Sequence, residues 1–212
     1  MTQRVRTHRS TSTAAAVATV GAALFALAGC IGTANINADV AVSITCDGDC
    51  LCGELDCSCD SSGTCSFNGD DGGALPSGSV ILCELSNSCV VDCGDACNVK
   101  CAGASNCNVV ADGDTTVDCM DSTLATSGPA PVHITCAGNS SCLGITAGPG
   151  SDITCAGNST CQIECPDGGC DVTCTGSATC LLGCGSAQCG LSCEDGAPIQ
   201  CADGRSGCPG EC

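Results

Sequence analysis

The chain has 212 residues, 28 of them Cys and 29 Gly, with 2 Phe and no Trp or Tyr. A core of the usual aliphatic and aromatic kind is out of reach, and the cysteine content falls in the range of disulfide scaffolds. Lys and Arg number 5 against 23 Asp and Glu, a formal net charge of −18, which excludes nucleic acid and an anionic lipid surface as natural partners.

Along the chain, Arg4, Arg6 and Arg9 come first, with no acid near them, and an apolar run follows from Ala14 to Ala28. A basic stretch before a short apolar one is the pattern of a secretory signal, and the run is too short and Ala-rich for a spanning helix. It ends in Leu27-Ala28-Gly29-Cys30, which resembles the lipobox of bacterial lipoproteins. The resemblance implies that residues 1–29 are a signal peptide and that Cys30 becomes the lipidated first residue, holding the chain to a membrane. Ile31 is not the Asp associated with inner-membrane retention, so the implied destination is the bacterial outer membrane or cell surface. Loss of 1–29 leaves Lys100 and Arg205 as the basic residues against 23 carboxylates. Export also places the cysteines where disulfides persist.

Residues 30–43 read as the lipidated Cys and a tether, and residues 44–212 as one repeat domain. Cys46, Cys65, Cys83, Cys101, Cys119, Cys136, Cys155, Cys174, Cys193 and Cys212 recur at intervals of 17–19 residues. Two residues before them stand Ile44, Gly63, Ile81, Val99, Val117, Ile134, Ile153, Val172, Leu191 and Gly210, eight of the ten being branched aliphatics. Two columns in phase make a repeat.

Inside a repeat the period is two, the signature of a strand with one buried face. Cys161-Gln162-Ile163-Glu164-Cys165 and Cys170-Asp171-Val172-Thr173-Cys174 both place Cys, aliphatic and Cys on one side. Between such segments lie turn residues, Ala156-Gly157-Asn158-Ser159-Thr160 and Pro166-Asp167-Gly168-Gly169. A unit this short buries nothing alone, so neighbours must stack. The expected fold is all-β: a disulfide-stapled parallel β-solenoid of about nine coils, two short strands per coil, rising about 4.8 Å per coil. The cluster Cys46, Cys50, Cys52, Cys57 and Cys59 is expected to form a disulfide cap over one end.

The segments Thr135–Cys142, Thr154–Cys161 and Thr173–Cys180, the last reading Thr-Cys-Thr-Gly-Ser-Ala-Thr-Cys, resemble the coil of beetle antifreeze proteins, which are small disulfide-packed β-solenoids. The resemblance covers a half-coil in three repeats and implies architecture.

Coils that keep only the cysteines flanking the longer loop suggest that this pair is a bridge within its coil. Extended to the other coils, the spacing pairs Cys83 with Cys89, Cys101 with Cys107, Cys136 with Cys142, Cys155 with Cys161 and Cys174 with Cys180. The shorter loop is closed by Cys93–Cys97, Cys165–Cys170 and Cys184–Cys189. Closing a loop of this length contributes about 2.4 kcal/mol on the chain-entropy estimate, comparable with burying one Val or Ile. Twenty-eight cysteines less a lipidated Cys30 leave one without a partner. Cys119, whose coil holds no second Cys, is the candidate; an intermolecular bridge or an unlipidated Cys30 are the alternatives.

No residues assemble into a catalytic set, and no cofactor is expected. His133 is the single His after residue 29 and falls on an outward strand position. Thiolate zinc sites need short Cys-x2-Cys bites, and the chain has none. Asp47-Gly48-Asp49, Asp70-Asp71-Gly72-Gly73 and Asp112-Gly113-Asp114 offer oxygens to Ca2+ and equally suit a corner. Thr135, Thr154 and Thr173 form one outward column, continued by Lys100, Asp118 and Ser192, a short rank with an ice-binding pattern. The expected role is non-catalytic: a lipid-anchored structural or interaction protein, with metal binding (thiolate or Ca2+) and ice binding as alternatives.

Overall fold

The computed structural model describes strand backbone within residues 6–52 and nearly all residues from 56 to 212, with side chains from Cys57 onward. Residues 1–5, 8–26, 29–30, 38–39, 47–48, 53–55, 60–63, 70–73, 76, 95, 104–105, 186 and 210–211 lie outside the description. The expected signal peptide, apart from Arg6–Thr7 and Leu27–Ala28, and Cys30, where lipidation is expected, therefore fall outside it.

Five strands come first: β1 (Arg6–Thr7), β2 (Leu27–Ala28), β3 (Ile31–Asn37), β4 (Val40–Cys46) and β5 (Asp49–Cys52). All of their pairings are antiparallel. Residues 31–43, read as tether, thus lie largely in β3 and β4. The alternation of Val40, Val42 and Ile44 with small residues is itself strand-like.

From residue 56 the pairing becomes parallel and the chain winds between two sheets. The first sheet stacks β6 (Asp56–Cys59), β8 (Ser79–Glu84), β10 (Cys97–Ala102), β12 (Thr115–Met120), β14 (Val132–Ala137), β16 (Asp152–Cys155), β18 (Asp171–Cys174) and β20 (Gly190–Cys193). The second stacks β7 (Thr64–Gly69), β9 (Ser88–Cys93), β11 (Cys107–Ala111), β13 (Thr123–Ser127), β15 (Ser141–Thr146), β17 (Thr160–Cys165) and β19 (Thr179–Cys184). The protein is an all-β parallel β-solenoid. Among the described residues seven such strand pairs follow one another and β20 begins an eighth, fewer coils than the nine expected.

The register explains the difference. Cys83, Cys101, Cys119, Cys136, Cys155, Cys174 and Cys193 stand opposite one another in the first sheet. Their neighbour at the N-terminal end is Cys59, not Cys65. Cys65 belongs to the second sheet, opposite Cys89 on one side and antiparallel to Cys46 on the other. Spacing is blind to strand direction, so Cys46 and Cys65 fit the 17–19-residue interval by accident. At the far end β22 (Ser206–Gly207) and β21 (Ile199–Gln200) turn back antiparallel onto β19. The two places where the aliphatic column failed, Gly63 and Gly210, precede two of the misplaced markers, Cys65 and Cys212.

Buried side chains alternate with outward ones along most of the stacked strands, as in β10 and β12. Beneath the first sheet run Cys57, Ile81, Val99, Val117, Ile134, Ile153 and Val172, all 2% exposed or less. Beneath the second run Phe67, Val91, Val109, Thr126, Ile145, Ile163 and Leu182. One ladder per sheet is a thin core, and the cysteines border it.

The turns after the first-sheet strands carry the ladder around the corner. Asn158 N–H donates to Gly138 C=O at 2.9 Å and Ser177 N–H to Gly157 C=O at 2.8 Å. In the coils from Cys83 to Cys174 this stacking places a left-handed residue two after the first-sheet cysteine, with φ of 71° at Gly138 and 72° at Gly157. At Gly138 a Cβ would also come within 2.4 Å of Asp121 Oδ1. Two coils fill the place otherwise, with Asp121 at φ 52° and Leu85 at φ 58°. Asp tolerates this region, and Asp121 Oδ1 accepts a hydrogen bond from Asn139 N–H at 2.9 Å. Leu does not tolerate it; such a residue costs about 1–3 kcal/mol.

Candidate functional site

The densest chemistry in the molecule is its sulfur. The structure joins Cys83–Cys89, Cys101–Cys107, Cys136–Cys142, Cys155–Cys161 and Cys174–Cys180 across the first turn. It joins Cys93–Cys97, Cys165–Cys170 and Cys184–Cys189 across the second. These are the sixteen cysteines that the spacing pairs, in the same pairs. The fold adds Cys59–Cys65 as a further first-turn staple, so Cys59 belongs to an ordinary coil rather than to a cap. It also adds Cys193–Cys208 and Cys201–Cys212, which hold the C-terminal turn-back. Cys57 is disulfide-bonded as well.

Cys119 carries a free, buried thiol. The position that would hold its partner is taken by Leu124, opposite Cys107 on one side and Cys142 on the other. In the same coil Thr126 stands in the aliphatic column. Cysteine and aliphatic places have therefore become leucine and threonine, and Leu124 is fully buried. Burial pushes the Cys119 thiol above the usual range; hydrogen bonds with Ser140 and the Ser122 backbone pull the other way, and Asp121 adds to the rise. Its sulfur lies within 4.8 Å of those of Cys136 and Cys142. Those two are joined to each other, so the group offers a single thiol and no thiolate cage. Cys83, Cys89 and Cys107, also grouped within 4.8 Å, are all in disulfides and offer no thiol.

Serines that the sequence places in turns as ordinary turn residues point inward in several coils. Ser140 Oγ donates to the Cys119 carbonyl of the preceding coil at 3.1 Å. Ser151 Oγ accepts from Val132 N–H at 3.0 Å and donates to Gly148 C=O at 2.6 Å. The Ser86 and Ser159 hydroxyls are buried without a hydrogen-bond partner. The legible signal was the recurrence of Ser two residues before Cys142 and Cys161.

His133 stands outward on β14, with Nε2 3.2 Å from Asp114 Oδ1. Of the three Asp-Gly groups weighed for Ca2+, residues 47–48 and 70–73 lie outside the described residues. Asp112 and Asp114 are both exposed. Asp114 faces His133, while Asp112 joins burial in raising the Asp92 carboxyl above its usual range, burial being the larger cause. Thr135, Thr154 and Thr173 are in register on the outer face. Beside them run His133, Asp152 and Asp171, so the rank is edged by charge.

A shallow cleft of about 220 Å³ opens between the last first-turn and the C-terminal turn-back, lined by Gly176, Ser177, Glu194, Asp195 and Pro209 among others. It is small for a ligand pocket, and Glu194 is already engaged by Gly176 N–H at 2.6 Å. The described residues thus bring together no nucleophile, base and oxyanion donors. No protein-family model, curated protein or solved structure matches the chain.

Proposed function

We propose that this is an exported, non-catalytic structural or interaction protein, anchored by lipid at Cys30 to the outer membrane or cell surface. Its disulfide density fits an oxidising compartment. The observation that carries the anchor is cysteine parity. With 28 cysteines in the chain and Cys119 unpaired, at least one more must lack an intramolecular partner. Eleven disulfides and the bond at Cys57 account for the rest of the described set, which confines the odd one to Cys30, Cys46, Cys50 or Cys52. A thioether at Cys30 meets this requirement, and Cys30 is where the lipobox resemblance puts one. Repeated outward faces on a rigid rod suit contact with a partner rather than turnover of a substrate.

The test is the intact mass of protein from the membrane fraction, unfolded and alkylated without reduction. One alkylated thiol with added lipid mass is expected. Two alkylated thiols and no lipid would remove the anchor; many would remove the stapled solenoid and favour metal-thiolate binding. Ice binding is the second reading, resting on the register of Thr135, Thr154 and Thr173. It requires thermal hysteresis that Thr154→Lys abolishes.

A further inference from the structure

Leu85 is the residue the fold does least to justify. It holds a left-handed conformation at φ 58°, where the equivalent turns at 103, 138, 157 and 176 use Gly. Asp121, the other exception, gains a hydrogen bond there; Leu85 stays 70% exposed. Its side chain leans over the next coil, since a Cβ on Gly103 would meet Leu85 Cδ2 at 3.1 Å. Gly103 N–H in turn donates to the Met120 carbonyl at 3.0 Å. Met120 is 53% exposed and shares a column with Ala102 and Glu84.

Leu85, Ala102 and Met120 therefore form one apolar corner across three successive coils. Exposed Glu84, Asp118 and Asp121 surround it, with Lys100 as the one cation nearby. An apolar patch retained against backbone strain is a mark of a contact surface. The carboxylate rim selects the sign of what docks.

We infer that the Leu85–Met120 corner is a docking site for a basic segment of another protein that carries exposed apolar side chains. This rests on the reading of the chain as an interaction protein and names the surface and the partner's chemistry. The apolar side chains cover Leu85 and Met120, and lysines or arginines face the three carboxylates. A bilayer fits less well, because the same rim repels anionic headgroups.

Met120 supplies its own probe, since the chain holds only 2 methionines, Met1 and Met120. The full chain, labelled at the methionine methyl carbon, is titrated with a short amphipathic lysine–leucine peptide. Two further peptides replace lysine by glutamate or leucine by serine, and zwitterionic and anionic vesicles form separate arms. The Met120 methyl signal is expected to move with the lysine–leucine peptide alone. Leu85→Gly, which installs the residue the other turns use, should weaken binding about tenfold while raising thermal stability. Leu143→Ser, at an exposed apolar position on the other sheet, should bind as the parent does. An unmoved Met120 signal, unchanged binding by Leu85→Gly, or a response to vesicles in place of the peptide would overturn the assignment. The lipid anchor is read from the intact mass, so either conclusion can fail without the other.

Discussion

The coils from Val132 to Cys184 and those from Ser79 to Ser127 share one winding and differ in how regular it is. The later coils keep every first-turn staple and place Gly at every left-handed corner. Among the earlier ones a staple is missing, Leu124 stands for a cysteine, and Leu85 and Asp121 stand for glycines. Both halves still hold strict register in the first sheet. A solenoid coil thus tolerates the loss of its disulfide if the vacated volume is refilled with an apolar side chain. It tolerates a poor corner residue because a hydrogen bond to the next coil holds the turn, from Leu85 N–H to the Ala102 carbonyl and from Asp121 N–H to the Ala137 carbonyl. Departures from the repeat then become informative: Leu124 and Asp121 each restore something locally, and Leu85 does not.

The sharpest way to break the comparison is to remove a staple from the regular half. Cys155→Ser with Cys161→Ser should cost about 2–4 kcal/mol in denaturant unfolding, whereas Cys119→Ser should cost under about 1 kcal/mol. Equal losses would mean that Cys119 supports the fold as a bridge does. Next in size, Leu124→Cys should complete the missing staple. Its sequence separation from Cys119 matches that of Cys165–Cys170, which is 5. A net gain of about 1 kcal/mol is expected, the new bridge outweighing the lost leucine surface. The count of alkylatable thiols on unfolding should drop by one; a thiol that stays reactive would show that the coil has settled around leucine.

Ser140 and Ser159 offer a finer test, because they occupy equivalent places and only the first finds partners. Ser140→Ala should cost about 1 kcal/mol through the bond to the Cys119 carbonyl, and Ser159→Ala should be neutral or slightly stabilising. Similar losses at the two would point to ordered water at Ser159.

The smallest effect concerns Asp92. Its carboxyl is held above the usual range by burial and then by Asp112. A raised acid favours folding while protonated, so that contribution is complete below the unfolded-state value and is lost as pH rises through the raised one. Asp92→Asn should therefore raise the unfolding free energy at neutral pH by no more than about 0.5 kcal/mol, and change nothing in strong acid. A gain that persists at low pH would assign the effect to packing rather than charge.

The solenoid was legible because its constraints are local and repeated. Cysteine and aliphatic columns with a period of two inside a period of 17–19 leave few other folds, and loops bounded by Cys at both ends suggest their own closure. Cys119 stood out by the same logic, as the cysteine in a coil with no other. The ends were misread because nothing in a spacing records direction. Cys46 lies antiparallel to Cys65, and the longer return between Cys59 and Cys83, which buries Leu75 beside Cys93, breaks the period unseen. The Leu85–Met120 corner was equally hidden, for those residues are 35 apart in sequence and meet only when coils stack.

The sequence by itself determined a thin, disulfide-stapled, parallel β-solenoid, because turn chemistry, alternation and cysteine spacing all act within a single coil. Only the tertiary structure decided which cysteine begins the register, where the winding gives way to antiparallel ends, and which side chains share a face. Those are relations between coils, set by hydrogen bonds and contacts across the stack, and no single repeat contains them.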